Sequence, residues 1–235
     1  MNELSNRLKA IALEINHGET MADIGTDHGF LPLFLWQMGI CPKVIFTDVS
    51  RGSLEKAMGN CENQQPGKLF DCRLGDGLQV LSAGEVDAVV IAGMGGILIA
   101  EIMGADMAKT KSFGKFILQP RSAVGELRHW LFHNGFSVTG ESLVREGKFI
   151  CEILTVEPEP EKVVELALAG EKGNSIRWEV PQHYGDWDDD LTKEYLERKL
   201  KREEMILTAM KNSEKTDKSR TRRNIVYLQE LLGKK

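Results

Sequence analysis

Long apolar runs are missing from this 235-residue chain. None approaches the roughly 18 residues that a membrane-crossing helix needs, so no membrane association is expected. Cysteine is sparse: Cys41, Cys61, Cys72 and Cys151 form no C-x-x-C pair and have no His at ligand spacing. That excludes a disulfide framework and a structural zinc site, leaves no metal centre to expect, and reads the four as reduced packing thiols. Positive charge is not in excess either, because the formal net charge is -5, which argues against a uniformly basic nucleic-acid binder. The dinucleotide fingerprint G-x-G-x-x-G is also absent.

What is present is ordinary for a globular protein, with 42% hydrophobic and 28% charged residues. The length suits one α/β domain with a large core plus a small appendage. Charge is unevenly placed. Residues 191–235 hold 13 Lys plus Arg against 7 Asp plus Glu, a net of +6 that leaves -11 on residues 1–190. A polyanion is therefore expected to meet the basic tail first. The opening "MNELSNRLKAIALEIN" reads as a charged amphipathic helix rather than a signal peptide, which gives a cytoplasmic protein, expected to be monomeric.

Along the chain, helix and strand signals alternate. A helix over residues 4–15 stops at Gly18, and "TMADIG" is a strand; "FLPLFLWQMG" follows as a buried helix that tolerates Pro32 in its first turn. "KVIFTDV" is a strand, and a helix from Ser50 to about Asn63 has Ser50 or Ser53 as its cap. The region "KLFDCRLGDG" and then "VDAVVIAGMGG" leads into a helix near residues 97–103; "KFILQP" and the helix "AVGELRHWLFHNGF" continue the alternation. This pattern implies right-handed crossovers and a parallel sheet covered on both faces. "FSVTGESLVREGKFICEILTVE" breaks it with two consecutive strands joined around "REGK".

A parallel sheet finished by an antiparallel hairpin is the Rossmann-like pattern of class I methyltransferases, so the expected division is a catalytic domain over residues 1–160. Residues 161–235 then form a linker and a C-terminal helical hairpin, of coiled-coil character, carried by Leu196, Leu200, Leu207, Met210, Ile225, Leu228 and Leu232.

Residues 19–32, "ETMADIGTDHGFLP", carry the chemistry. Asp23 ends the first strand, Gly25 begins a turn, and Gly29 opens the next helix. The second strand ends on Asp48, suited to hydrogen bonds with both hydroxyls of a ribose. A helix N-terminus favours an anion such as pyrophosphate, but the Asp27 carboxylate would repel one. A sulfonium and an α-ammonium would instead be attracted by Asp23 and Asp27, which selects S-adenosyl-L-methionine over NAD. Asp27 can also act as a simple helix cap. "LGDGL" places Asp76 and Gly77, and "IAGMGG" places Gly93, Met94, Gly95 and Gly96, where further strands end and open α/β sheets bind ligands.

With these residues in view, "SNRL", "ADIGTDHGFLP", "GDGL", "IAGMGG", "LQP" and "EGKFICEIL" resemble, in order, the motifs of the bacterial tRNA (adenine-22-N1)-methyltransferases of the TrmK type. The resemblance spans essentially the whole chain. It implies a Rossmann-like domain that uses S-adenosyl-L-methionine to methylate N1 of an adenine in the tRNA D-loop. By motif, Asp23, Gly25, Thr26, Asp27 and His28 would line the methionine end of the donor, Asp48 and Val49 its ribose, and Asp76 with Gly77 its adenine. Gly93 to Gly96 would border the transferred methyl.

Asp27, as a carboxylate near the developing cation, and Gln119, as an amide orienting the base, are the candidate catalytic residues. Arg121 stands where the family usually shows Asn after Gln-Pro, and Phe30 where it shows Tyr. Arg121, Lys199, Arg202, Arg222 and Arg223 are the candidate tRNA contacts. Two other classes stay open on the residues alone: a small-molecule methyltransferase, and a non-catalytic module that binds the donor.

Overall fold

Strands rich in Val, Ile and Phe with no polar alternation must be buried on both faces, and the computed structural model shows where. It describes residues 3–159, 173, 175–182, 189–210 and 218–233. Of the expected linker and helical hairpin over 161–235, residues 161–172, 174, 183–188, 211–217 and 234–235 lie outside the described residues. Strands β1 (Met21–Ile24), β2 (Val44–Asp48), β3 (Asp71–Leu74), β4 (Ala88–Met94) and β5 (Lys115–Pro120) are parallel, while β6 (Phe136–Glu146) and β7 (Phe149–Pro158) form the antiparallel hairpin. The sheet order is β3-β2-β1-β4-β5-β7-β6, as expected for a parallel sheet closed by a hairpin.

Period-2 alternation sends neighbouring residues into different cores. Val89 and Ile91 join Phe116, Ile99 and Leu131 on one face, whereas Ala88 and Val90 join Ile117, Phe46 and Ile11 on the other. The covering helices are α1 (Asn6–Leu13), α2 (Phe30–Gln37), α3 (Arg51–Gln64), α4 (Gly96–Gly104), α5 (Met107–Thr110) and α6 (Val124–His133). Ser50, not Ser53, caps α3: its hydroxyl accepts from the Ser53 N–H at 3.3 Å. The short α5 has no counterpart in the sequence reading, since four residues carry no helical period; Asp106 starts it by capping the Lys109 N–H at 3.0 Å. All four cysteines are free, and burial pushes the thiols of Cys41 and Cys61 up to about 11 and 12, as suits inert packing groups.

Helices α7 (Asp190–Ala209) and α8 (Ser219–Leu231) pair as the helical hairpin and bury Leu196, Leu200 and Leu228. Their apolar seam continues through Ile176 and Val180 to Leu143 and Ile150 of the β6–β7 hairpin, so the tail is packed on the sheet edge. A buried ionic cluster backs this seam. Arg128 of α6, with its side chain 2% exposed, donates to Glu141 of β6 at 2.8 Å, Glu152 of β7 at 2.7 Å and the Trp178 carbonyl at 2.9 Å. Tyr195 of α7 donates its hydroxyl to the same Glu152. Burial opposes the charge on Arg128, yet Glu152 and Glu141 hold its pKa above the ordinary value.

Removing one member of such a cluster leaves the others charged and unpaired. Arg128→Met is therefore expected to destabilise the fold by about 3 to 5 kcal/mol, read as a lowered urea midpoint. An unchanged midpoint would show the cluster to be energetically neutral.

Candidate active site

Ligands of open α/β sheets sit outside the carboxyl ends of the strands, at the point where the strand order reverses. Here that point lies between β1 and β4, from which the chain winds outward in both directions. The turn after β1 is knitted onto β2. The N–H groups of Gly25 and Thr26 donate to the Thr47 carbonyl at 3.0 and 2.8 Å, and the Thr47 hydroxyl donates to the Asp23 carbonyl at 3.1 Å. Asp48 completes the join, accepting from the Asp27 N–H at 3.1 Å and the Ser50 N–H at 2.8 Å. This bonding holds Asp27 in a left-handed conformation, φ 47°, which Asp tolerates better than most residues.

A cleft of about 590 Å³ opens at this edge. Asp23, Gly25, Thr26, Asp27 and His28 line it from the β1 turn, Gly93 and Met94 from the end of β4, and Arg121 from the end of β5. Asp48 adjoins it through its bond to Asp27, whereas Val49 points outward, 72% exposed. Asp76 and Gly77 line a separate cavity of about 160 Å³ with Leu98 and Ile102, tied to the cleft's wall by the Gly75 N–H bond to the Asp48 carbonyl at 3.0 Å.

The glycines of "IAGMGG" divide in role. Gly93, at φ 81°, has nothing within 4 Å of where a Cβ would stand, so its bare backbone faces open cleft. A Cβ on Gly96 would lie 2.3 Å from the Ala123 carbonyl oxygen. That glycine serves close packing between α4 and the start of α6, and not the cleft. Among the described residues Gly95 and Gly96 do not line it.

Two expectations change. Asp27 is not a helix cap: Gly29 holds the N-cap position of α2 with no side-chain cap bond. The Asp27 carboxylate meets His28 Nδ1 at 2.6 Å and Lys56 at 3.7 Å. Gln119 is 1% exposed, with Oε1 accepting from the Gly93 N–H at 3.1 Å and Arg7 Nη1 at 3.2 Å, and Nε2 donating one of its two hydrogens to the Pro120 carbonyl at 3.0 Å. Among the tail cations, Lys199 pairs with Glu179 at 2.9 Å and shares a cavity of about 400 Å³ with Arg202 and Arg220. Arg222 and Arg223 are exposed on α8.

Residues that sequence reasoning did not single out complete the walls. Ser5, the N-cap of α1, Arg7 of α1 and Glu146 of β6 line the cleft, and Glu146 accepts from the Arg7 N–H at 3.2 Å. Arg7, Gly93, Arg121 and Glu146 also border a second chamber of about 430 Å³, walled further by Gln119, Pro120, Phe149, Ile150 and Cys151. Only the "SNRL" and "EGKFICEIL" motifs flagged these stretches, and the spacing within them does not mark Arg7 or Glu146.

The electrostatic centre of the cleft is Asp23, 7% exposed. Burial pushes its pKa up to about 6 against the hydrogen bond from Thr26 Oγ1 at 2.8 Å and the attraction of Arg7; repulsion from Asp48 adds to the rise. A buried carboxylate of this kind is poised for a cation.

The chain matches the Methyltransferase domain family over residues 4–154. It is 36% identical over 159 residues to the tRNA (adenine(22)-N(1))-methyltransferase of Bacillus subtilis (strain 168), covering 67% of each chain. Among solved structures it resembles the B. subtilis M1A22 tRNA methyltransferase TrmK with a TM-score of 0.78 and 27% identity, covering 98% of this chain and 96% of that one. It also resembles Streptococcus pneumoniae Sp1610 in complex with S-adenosyl-L-methionine, with a TM-score of 0.79 and 27% identity over 98% of this chain and 100% of that one.

Because the folded pKa of Asp23 lies above its unfolded value, the native state binds the extra proton and is favoured at low pH. This contribution is full below about pH 4 and is lost as pH rises through about 6. Asp23→Asn is therefore expected to be more stable than wild type at pH 7.5, by on the order of 3 kcal/mol. The advantage should vanish toward pH 4, as urea midpoints at the two pH values will show.

Proposed function

Since the chain belongs to the tRNA (adenine(22)-N(1))-methyltransferase family, we propose that it transfers the methyl group of S-adenosyl-L-methionine to N1 of an adenine in tRNA, with adenine 22 of the D-loop as the target. The observation that carries this reading is that buried Asp23 and exposed Asp27 line one cleft together with Gly93, whose bare backbone has nothing in front of it. Two carboxylates suit a ligand with a sulfonium and an ammonium, and a glycine without a neighbour in front of it admits close approach. The residues present thus fit the donor.

When bound, S-adenosyl-L-methionine supplies an electrophilic methyl group. Asp23 and Asp27 would take its methionine end, Asp48 its ribose hydroxyls, and Asp76 with Gly77 its adenine. Gly93 would face the transferred methyl. Adenine N1 carries an in-plane lone pair, so the protein's task is to hold nucleophile, methyl carbon and sulfur in line at about 3 to 3.5 Å. We assign Gln119 to positioning: its amide fixes the Gly93 N–H and the Arg7 guanidinium, which border both chambers. His28, stacked on Phe30 at 5.3 Å, holds the Asp27 carboxylate in place.

The helical tail is our proposed tRNA grip, a unit beyond the catalytic domain of residues 1–160. Arg222 and Arg223 stand exposed for phosphate contacts, while Arg202 lies beside the Lys199–Glu179 pair. We take the protein to work as a cytoplasmic monomer; among the described residues no helix is long and apolar enough to cross a membrane.

Labelled donor incubated with unmodified bulk tRNA, followed by nucleoside analysis, tests the activity directly; 1-methyladenosine at position 22 is the expected product, and any other methylated position refutes the assignment. Donor affinity is expected to rise with pH up to and through about 6, because the cationic ligand binds the ionised Asp23. Below that pH the slope should approach tenfold per unit, and Asp23→Asn should flatten it and weaken binding on the order of tenfold to a hundredfold. Replacing Arg222 and Arg223 together with Ala is expected to raise KM for tRNA and shrink the salt slope by about one per lost phosphate contact, with donor affinity unchanged.

A further inference from the structure

The chamber of about 430 Å³ beside the donor cleft is walled at its outer rim by the tip of the β6–β7 hairpin. Phe149, the first residue of β7, is 60% exposed there, although its ring is a large apolar surface that folding normally buries. Lys148 extends its ammonium over the ring at 5.3 Å from the centroid. An exposed aromatic ring at the mouth of a chamber, with cations at hand, is the arrangement on which an unstacked nucleobase settles.

Glu146 stands on the boundary between the two chambers. It is a carboxylate on the acceptor side, whereas Asp27 lines only the donor cleft and is paired with His28 and Lys56.

The hairpin tip is held from both sides. Asn6 of α1 donates to the Arg145 carbonyl at 3.2 Å, and Arg7 donates its N–H to Glu146. From α7, Arg198 donates to the Lys148 carbonyl at 2.8 Å and Glu194 pairs with Arg145. The tail helix thus fixes a turn of the sheet that reaches the reacting edge.

We infer that this chamber receives the extruded target adenine, with Phe149 as its stacking face and Glu146 as the carboxylate facing its exocyclic amine. The inference rests on the methyl-transfer reading above and specifies its acceptor subsite. In the step it serves, the N1 lone pair forms the new N–C bond as the C–S bond breaks, and the electron pair of that bond stays on sulfur. The positive charge passes to the adenine ring, where the Glu146 carboxylate neutralises it. Stacking on Phe149 offsets part of the unstacking energy that extrusion requires.

Full-length Phe149→Ala, Phe149→Tyr and Glu146→Gln variants test this, with donor affinity measured by calorimetry beside methyl transfer to unmodified tRNA. Phe149→Ala is expected to lower kcat/KM for tRNA about tenfold to a hundredfold with donor affinity within about twofold of wild type, and Phe149→Tyr to restore it. Glu146→Gln is expected to lower kcat more than it raises KM. Wild-type kcat/KM in both Phe149→Ala and Glu146→Gln overturns the inference while leaving the tRNA methyltransferase reading standing. A second readout, quenching of the fluorescence of 8-vinyladenosine, which keeps adenine's exocyclic amine, by the donor-loaded protein, separates the two. If wild type methylates no tRNA but quenches the analogue and Phe149→Ala does not, the function reading falls and the base subsite is supported. If wild type gives no quenching, or Phe149→Ala quenches equally, the subsite is refuted.

Discussion

The Arg128 guanidinium is the point on which the C-terminal half of this molecule depends. Buried without access to bulk water, it is tolerable only because Glu141, Glu152 and the Trp178 carbonyl surround it, and those partners come from two strands and the segment that precedes the tail. Glu152 in turn takes the Tyr195 hydroxyl of α7. One cation therefore fastens α6, the antiparallel hairpin, the 175–182 segment and the first tail helix to each other. The apolar seam of Leu143, Ile150, Leu196, Leu200 and Leu228 supplies most of the area, but it is non-directional; the ionic cluster has one geometry and so fixes how the tail sits.

A docked tail has a consequence at the opposite side of the hairpin. Strands β6 and β7 run from the Arg128 cluster to the tip at Glu146–Phe149, and α7 grips that tip again through Arg198 and Glu194. The same helices that leave Arg222 and Arg223 exposed therefore brace the wall of the second chamber. On the proposed reading, contact with RNA and alignment of the reacting base share one braced element, which limits the conformational entropy lost on binding. The donor cleft is built on a different logic. Burial raises the pKa of Asp23, and on the proposed reading a cationic ligand would offset that strain, exchanging part of the fold's stability for binding.

The parallel sheet was legible because its strands are continuous apolar runs separated by helices with clear glycine stops, and the closing hairpin because "REGK" interrupts two runs too close together for a crossover. Asp23 and Asp48 were legible as strand-end acids because turn residues follow each apolar run. Gln119 was visible as a residue but its partners were not, since an amide at a strand end gives no sign that its oxygen will accept from Gly93 and Arg7. The packing partner of Gly96 was hidden for the same reason: a glycine's necessity shows in sequence, but the neighbour that demands it, the Ala123 carbonyl, does not. Arg128 in "GELRHWL" carries no sign at all, because a lone cation in an amphipathic helix reads as solvent-facing.

By itself the sequence determined the order and type of the elements, the parallel crossovers, the line of acids and glycines at the strand ends, and the separation of an acidic body from a basic tail. These follow from local periodicity, turn chemistry and charge, each set by residues near one another in the chain. Only the tertiary structure decided which of those residues share a cavity, that Arg7 and Glu146 stand between two chambers, and that the tail leans on the hairpin through a buried Arg128. Those facts join residues as much as 139 positions apart, as between Arg7 and Glu146, and no local pattern records a contact that exists only once the chain has closed on itself.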